Sequence, residues 1–265
     1  MIFNIKHIIF LSLILLLCNC ASQKSKIKES DKYFQKSLDL FERQKYLKAK
    51  DRFQNIIDTY PGTELGVDAL YYLAFCEYEL KDFEESKQSF KVYKRYSQDI
   101  LKVQSASFMI SLCLFELTLD YPNDQTETYN ALESFQLFIE DYPGSKFNSE
   151  AMDKIKNLRT KLALKDYEVA KLYIKSEQYD SARQYLNELL QKYYDIKYSD
   201  DAHIAHILIY LISEDQDGAE KYLEKNKNKF HSENTYSDAR NIIDNSNKKI
   251  TIKNIYFLDY FNRLL

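Results

Sequence analysis

The sequence has 265 residues, of which 45% are hydrophobic and 29% charged, yet it contains only 4 Gly and 3 Pro. This composition excludes a disordered chain, a collagen-like chain and a β fold with many tight turns, and it predicts long helices joined by short polar connections. The formal net charge is −3, and Lys and Arg are mixed among Asp and Glu, so no basic stripe is available for binding nucleic acid.

The first segment predicts export from the cytoplasm. Lys6 and His7 precede an apolar run, residues 8–17, which is long enough for the core of a signal peptide and too short to span a bilayer. The run ends in Leu17-Cys18-Asn19-Cys20, which resembles the lipobox of bacterial lipoproteins. We therefore expect a signal peptide at residues 1–19 and a lipidated Cys20. The alternative is an ordinary cleaved signal followed by a chance cysteine.

Residues 20–29 form the predicted membrane tether. The stretch after Cys20 is mostly polar, rich in Ser and Lys and free of aromatic side chains, as is typical of a flexible linker. More than one acyl chain on a single cysteine is enough to hold a protein on a membrane. By similarity to sorted lipoproteins, the absence of Asp after Cys20 favours the outer membrane, and the absence of an acidic stretch favours its periplasmic leaflet.

A helical repeat begins after the tether. Ala49, Phe53, Ile56 and Pro61 fall at offsets of 0, 4, 7 and 12. Tetratricopeptide repeats share this spacing, in which a small residue lets the two helices of a hairpin approach closely and the later apolar residues fill the groove between them. The spacing therefore predicts a helical hairpin that ends at the proline.

The same frame recurs and predicts five hairpins. The residues expected at the helix crossings are Ser37, Ala74, Ser111, Ala170 and the bulkier Ile207 in first helices, and Ala49, Ser86, Ala131, Ala182 and Ala219 in second helices. Two insertions interrupt the period, a loop at residues 121–124 and a lengthened first helix at residues 149–176. The sequence thus predicts an all-α fold, a tetratricopeptide-repeat α-solenoid over residues 30–231 whose concave groove binds partners.

Residues 232–265 are predicted to form a C-terminal capping helix and tail. Ile255, Leu258, Phe261 and Leu265 would share one face of a helix. Because the end of a repeat array needs covering, we expect this helix to pack on the last hairpin. The alternative is that the tail binds a partner.

The middle hairpins carry a more specific pattern. The run Ala131–Ser145, followed by Leu162-Ala163 and Val169–Tyr173, resembles the BamD family, lipoproteins of the outer-membrane β-barrel assembly machine. The resemblance covers residues 31–229 and includes the lipobox cysteine. It implies a periplasmic scaffold, anchored to the outer membrane, that binds a BamA-like barrel-assembly subunit and other assembly lipoproteins and helps receive unfolded outer-membrane proteins.

The chain departs from the family pattern at several positions, one of which the resemblance implies to contact BamA. The family's contact arginine falls at Tyr185, and the acidic position of its LA-x-x-E motif is taken by Asp166. The family's Tyr-Pro turn after the fourth repeat is replaced here by Tyr193-Tyr194-Asp195. We expect Asp166 and Tyr185 to take part in docking, with altered chemistry.

Aromatic residues suggest a second binding surface. Tyr71, Tyr72 and Phe75 crowd one first helix, and first helices line the concave face of such arrays. We predict that one or two of these rings project into the groove and bind extended, aromatic-rich segments such as the terminal strand of a barrel. The alternative is that all three pack between helices.

The chain lacks the patterns of an enzyme. His203 and His206, preceded by Asp200 and Asp201, could begin a metal site, but no third-ligand pattern or cysteine pair follows. No glycine-rich phosphate loop is present. We therefore expect no metal, no cofactor and no catalysis.

Two cysteines remain besides those near the signal peptide. Cys76 and Cys113 occupy equivalent positions in successive repeats, roughly 10 Å or more apart, which exceeds the reach of a disulfide. They are predicted to be buried free thiols.

The predicted function is that of a lipid-anchored periplasmic scaffold for β-barrel assembly. A repeat lipoprotein that coordinates peptidoglycan synthesis is the alternative. Co-purification with cell-wall enzymes in place of BamA would distinguish it.

Overall fold

The computed structural model describes residues 30–247, which are largely helical and contain no strand. The helices are α1 (30–42), α2 (Tyr46–Thr59), α3 (Glu64–Glu79), α4 (Phe83–Tyr96), α5 (Ile100–Glu116), α6 (Thr126–Asp141), α7 (Asn148–Lys175), α8 (Tyr179–Lys192), α9 (Tyr198–Ile212), α10 (Gln216–Asn226) and α11 (Glu233–Asn247). A short 3-10 helix, Lys227–Lys229, follows α10. The lengthened first helix expected at residues 149–176 is α7, which has 28 residues.

The chain divides into two compact units. The first contains α1 to α5 together with Glu140–Ser145. The second contains Thr118–Ile139 and the chain from Lys146 onward. Each unit has its own apolar core, formed around Phe53 in the first and around Leu186 and Ile207 in the second.

The helix-crossing positions confirm the predicted repeat. All ten residues expected there, including the bulky Ile207, are 0% exposed. In the second hairpin, α3 and α4, the hydroxyl of Ser86 donates a hydrogen bond to the carbonyl oxygen of Ala74 at 2.8 Å. A larger side chain at either position would force the helices apart. The all-α tetratricopeptide-repeat fold predicted from the spacing is therefore confirmed.

Four hairpins share one turn geometry that the sequence did not reveal. A residue with positive φ lies between the two helices: Gln44 (57°), Lys81 (66°), Glu177 (58°) and Glu214 (57°). In the first turn the N–H of Lys45 donates to the carbonyl oxygen of Leu40, and that of Gln44 donates to the carbonyl oxygen of Phe41. This is the Schellman arrangement, which normally selects Gly at the left-handed position. Here polar, exposed side chains take that place.

The third hairpin replaces this turn with the predicted loop. Lys161 on α7 donates to the hydroxyl of Thr118 at 2.7 Å and to the carbonyl oxygen of Leu119 at 2.9 Å. Lys165 donates to the carbonyl oxygen of Asn123 at 2.8 Å. The extra length of α7 therefore carries the lysines that hold the inserted loop.

Helix α11 covers the last hairpin. Ala239, Ile242 and Ile243 are buried in the core of the second unit, which also contains residues of α9 and α10. Helix α11 lies within the capping segment predicted at residues 232–265, but the apolar helix face proposed for residues 255–265 lies outside the described residues. The packing of that tail stays a prediction.

Candidate partner-binding surfaces

Tyr71, Tyr72 and Phe75 lie on α3 of the first unit and are all partly buried. Tyr72 stacks on Phe53 with ring centroids 5.5 Å apart, and Tyr71 meets Phe75 edge to face at 4.9 Å. Phe75 also packs edge to face on Phe90 of α4 at 5.0 Å. The three rings thus pack in an aromatic layer, and each keeps part of its surface accessible. A role in binding clients stays a prediction.

Tyr71 is further held by polar contacts. Its hydroxyl donates to the side chain of Ser105 on α5 at 2.9 Å, and the ammonium of Lys102 lies 5.7 Å from its ring centroid. Burial raises the pKa of Tyr71, so the phenol is neutral at physiological pH. The ring therefore connects two neighbouring hairpins.

Asp166 and Tyr185 lie on adjacent helices of the second unit, α7 and α8. Tyr185 stacks on Tyr173 of α7, with centroids 5.3 Å apart and ring planes inclined by 22°. Burial raises the pKa of Asp166, an effect reinforced by Glu188 and opposed by Lys192. Tyr173 and, more weakly, Asp166 raise the pKa of Tyr185. Asp166, Tyr173 and Tyr185 therefore belong to one pair of helices, and we call these three residues the α7–α8 face.

A bidentate ion pair closes the turn where the chain departs from the Tyr-Pro pattern. Both terminal guanidinium nitrogens of Arg159 donate to the carboxylate of Asp195 at 2.6 Å, and Nη2 also donates to the carbonyl oxygen of Lys192 at 3.1 Å. The Arg159 guanidinium lowers the pKa of the Asp195 carboxyl. A charge pair thus connects α7 to the turn after α8, next to Tyr194, which takes the place of the family's proline.

A cleft of about 740 Å³ opens in the second unit. Its walls come from α8, α9, α10 and the segment after α10. Inside it, His203 Nδ1 lies 2.9 Å from the hydroxyl of Tyr222, and Lys225 and Lys229 line the same cleft. The sequence missed this cleft because its residues come from separate elements and form no local motif.

The two histidines of α9 are buried. Burial lowers the pKa of both His203 and His206 to about 4, so both are neutral at pH 7. The structure does not gather three or more His, Cys, Asp or Glu side chains into a possible metal site anywhere in residues 30–247. Asp200 instead accepts hydrogen bonds from the backbone N–H groups of His231 and Ser232, which precede α11.

Cys76 and Cys113 are buried free thiols, as predicted. Burial raises the pKa of Cys76 to about 12 and that of Cys113 to about 11. The thiol of Cys113 donates to the hydroxyl of Ser86 at 3.4 Å. Both thiols are therefore poor nucleophiles.

Across residues 30–247, no helix is at once long and apolar enough to cross a bilayer. Cys20 and the predicted signal peptide lie outside the described residues, so lipidation stays a prediction.

The repeat hairpins and the α7–α8 face lie within a region that matches a known family. The model of the YfiO family, described as outer membrane lipoprotein, matches residues 26–226. The chain belongs to the YfiO family. This match spans all five hairpins and confirms the resemblance drawn from the middle repeats.

Two relatives of the chain share a name with each other. The outer membrane protein assembly factor BamD of Rickettsia prowazekii is 22% identical over 212 residues, which cover 80% of this chain and 84% of the relative. The protein of that name from Caulobacter vibrioides is 22% identical over 140 residues, which cover 53% of this chain and 46% of the relative.

Solved structures of tetratricopeptide-repeat proteins are also similar. A thermophilic repeat protein of Thermus thermophilus has 15% identity and a TM-score of 0.35, covering 83% of this chain and 99% of that one. A repeat protein of Parabacteroides merdae has 11% identity and a TM-score of 0.29, covering 89% of this chain and 98% of that one.

Proposed function

We propose that this YfiO-family chain is a lipid-anchored scaffold of the outer-membrane β-barrel assembly complex. In this role it faces the periplasm, binds a BamA-like subunit and other assembly lipoproteins, and helps receive unfolded outer-membrane proteins. It acts by binding and positioning, without turnover. The observation that carries the proposal is the family match over residues 26–226, together with relatives named outer membrane protein assembly factor BamD.

The α7–α8 face is the proposed docking surface for the BamA-like subunit. Tyr185 supplies a ring stacked on Tyr173, and Asp166 supplies a carboxylate within the same helix pair. A tyrosine in place of the family's arginine replaces a fixed positive charge with a flat ring and one hydroxyl. Such rings bury a large area at low entropic cost. The partner's matching surface should therefore be more apolar and less acidic.

The direct test of membership is a pull-down of tagged full-length protein in mild detergent, beside a Cys20→Ala variant. Mass spectrometry should find a BamA-like barrel protein with the wild type and less of it with the variant, because the anchor concentrates both partners at one membrane. Recovery of cell-wall synthases alone would instead support the peptidoglycan alternative.

The docking surface has its own test. Tyr185→Glu places a charge in the stacked ring pair and should weaken recovery of the BamA-like protein at least tenfold, a hot-spot-sized loss. The matched control is Met152→Glu, a change at an exposed apolar residue elsewhere on α7. Equal recovery with both variants would show that docking takes place on another surface.

A further inference from the structure

The α4–α5 turn, here residues 96–101 from the end of α4 to the start of α5, exposes large apolar side chains. Ile100 and Leu101 are each 77% exposed, and Tyr96, the last residue of α4, is 63% exposed. Val92, one helical turn earlier, is also exposed. Contiguous apolar groups on a protein surface mark contact with a membrane or another macromolecule.

Side chains of this turn already bind three backbone N–H groups in or next to it. The Asp99 carboxylate accepts hydrogen bonds from the N–H groups of Leu101 and Lys102 at 3.0 and 3.1 Å. The Ser97 hydroxyl accepts from the N–H of Asp99 at 3.2 Å. The turn can therefore enter an environment poor in water without exposing these donors.

Basic side chains flank the apolar ones. Lys94 and Arg95 lie in the last turn of α4 and Lys91 one turn earlier, and none of the three forms an ion pair with a carboxylate of the described chain. The nearby Asp68 is paired with Lys102 at 2.6 Å. Aliphatic and Tyr side chains bordered by unpaired cations are the composition of a contact with an anionic lipid surface.

The path of the chain places this turn at the end of the hairpins where the tether enters. Successive helices α1 to α5 are joined by short turns and alternate in direction, so the α4–α5 turn lies at the same end as residue 30. Two repeat widths amount to roughly 20 Å. Residues 20–29, when extended, reach roughly 35 Å. A lipid on Cys20 and the α4–α5 turn can therefore meet the same membrane.

We propose that the α4–α5 turn is a second membrane contact of this lipoprotein. Tyr96, Ile100 and Leu101 enter the boundary between headgroups and acyl chains, and Lys91, Lys94 and Arg95 bind the phosphates of anionic lipid. The contact holds the first unit against the leaflet in a fixed orientation. The inference rests on the lipid anchor of the proposed function and is independent of barrel assembly.

The test uses the full-length lipidated protein in vesicles of phosphatidylethanolamine and phosphatidylglycerol. An environment-sensitive fluorophore is attached at Leu101→Cys or, as the matched control, at Leu47→Cys. Leu47 is 64% exposed at the start of α2, the opposite end of the hairpins. Cys76 and Cys113 are buried and stay unlabelled. Quenching by spin-labelled lipid reports contact with the membrane.

The probe at residue 101 should be quenched and the probe at residue 47 should not. Quenching at residue 101 should fall in pure phosphatidylcholine and in a Lys91→Gln, Lys94→Gln, Arg95→Gln variant. Equal quenching at both sites, or none at 101 in protein that floats with the vesicles, overturns the inference. A photo-crosslinker at residue 101 could instead form a protein adduct in cells while the probe in vesicles stays exposed to water. That result would assign the turn to a protein partner and would also overturn the inference. Failure to float at all would refute the anchor instead.

Discussion

His203 and His206 are neutral groups held inside the second unit, and they make its folding sensitive to acid. Their pKa values are lowered to about 4 by burial, whereas an unfolded histidine titrates near pH 6.5. Between these values the unfolded chain binds more protons than the folded one, so stability falls as pH falls from about 6.5 to about 4. The Nε2 atom of His206 is buried and has no hydrogen-bond partner in the described structure.

Replacement of His206 by Phe should remove its share of this acid sensitivity. The ring packs on Tyr222 with centroids 4.9 Å apart, and Phe preserves that contact. Between pH 7 and pH 5 the wild type should lose about 2 kcal/mol more unfolding free energy than His206→Phe, as measured by urea denaturation. An equal loss in both proteins would show that His206 is not held neutral.

Single residues also show where sequence interpretation succeeds and fails. The crossing residues Ala49 and Ser86 were predicted because packing imposes a fixed spacing on them. The ion pair of Arg159 with Asp195 was not predicted, because the two residues are 36 positions apart and an ion pair produces no repeating pattern in the sequence. The apolar contacts at helix crossings can be predicted from spacing, whereas an ion pair depends on the assembled fold even within one hairpin.

At the scale of elements, the repeated left-handed turn is the feature the sequence concealed. A glycine at each turn would have indicated it, but the chain uses Gln44, Lys81, Glu177 and Glu214. The left-handed conformation costs a residue with a Cβ roughly 1–2 kcal/mol. The backbone of each of these turns is therefore strained, and the packing of the two helices offsets the cost.

Replacement of Lys81 by Gly should stabilise the first unit. Relief of the strain outweighs the added freedom of Gly in the unfolded chain, for a net gain of up to about 1 kcal/mol by chemical denaturation. The same change at the exposed helical residue Lys36 should instead destabilise by about 1 kcal/mol. Destabilisation by Lys81→Gly would mean that the lysine side chain, and not the turn backbone, supports the hairpin.

The ion pair between α7 and the end of α8 is the second test at this scale. Asp195→Asn keeps the shape of the side chain and removes its charge, so it should cost about 1 kcal/mol, because the pair is partly exposed and screened. The lowered pKa of Asp195 means that this contribution is present above the ordinary aspartate pKa and is lost as pH falls below it.

A double-mutant cycle with Arg159→Gln measures this coupling. The second substitution should add less than it does alone, because its partner charge is already gone. Additive effects would show that the pair contributes nothing to the turn.

At the scale of the whole molecule, the sequence predicted the fold class because five copies of one spacing reinforce each other. It predicted a capping helix and tail over residues 232–265 without the bounds of α11, because the buried Ala239, Ile242 and Ile243 stand among polar residues and belong to no repeat. It also could not assign the aromatic residues of α3, because first helices both line a groove and pack on their neighbours. Exposure in such arrays is decided by the assembled fold.

Each of the two units presents a candidate binding surface. The partly exposed α7–α8 face and the cleft beside His203 lie in the second unit, and the apolar α4–α5 turn lies in the first. Repeat proteins use such surfaces to hold partners. The central claim is that the partners held here belong to barrel assembly.

The most direct test is to deplete this protein in its own bacterium and measure the folded fraction of outer-membrane barrel proteins by heat-modifiable gel mobility. The proposed function predicts that folded barrels fall and their unfolded precursors accumulate, while incorporation of labelled peptidoglycan precursors stays unchanged at early times. Normal barrel assembly accompanied by a loss of peptidoglycan incorporation would contradict the claim.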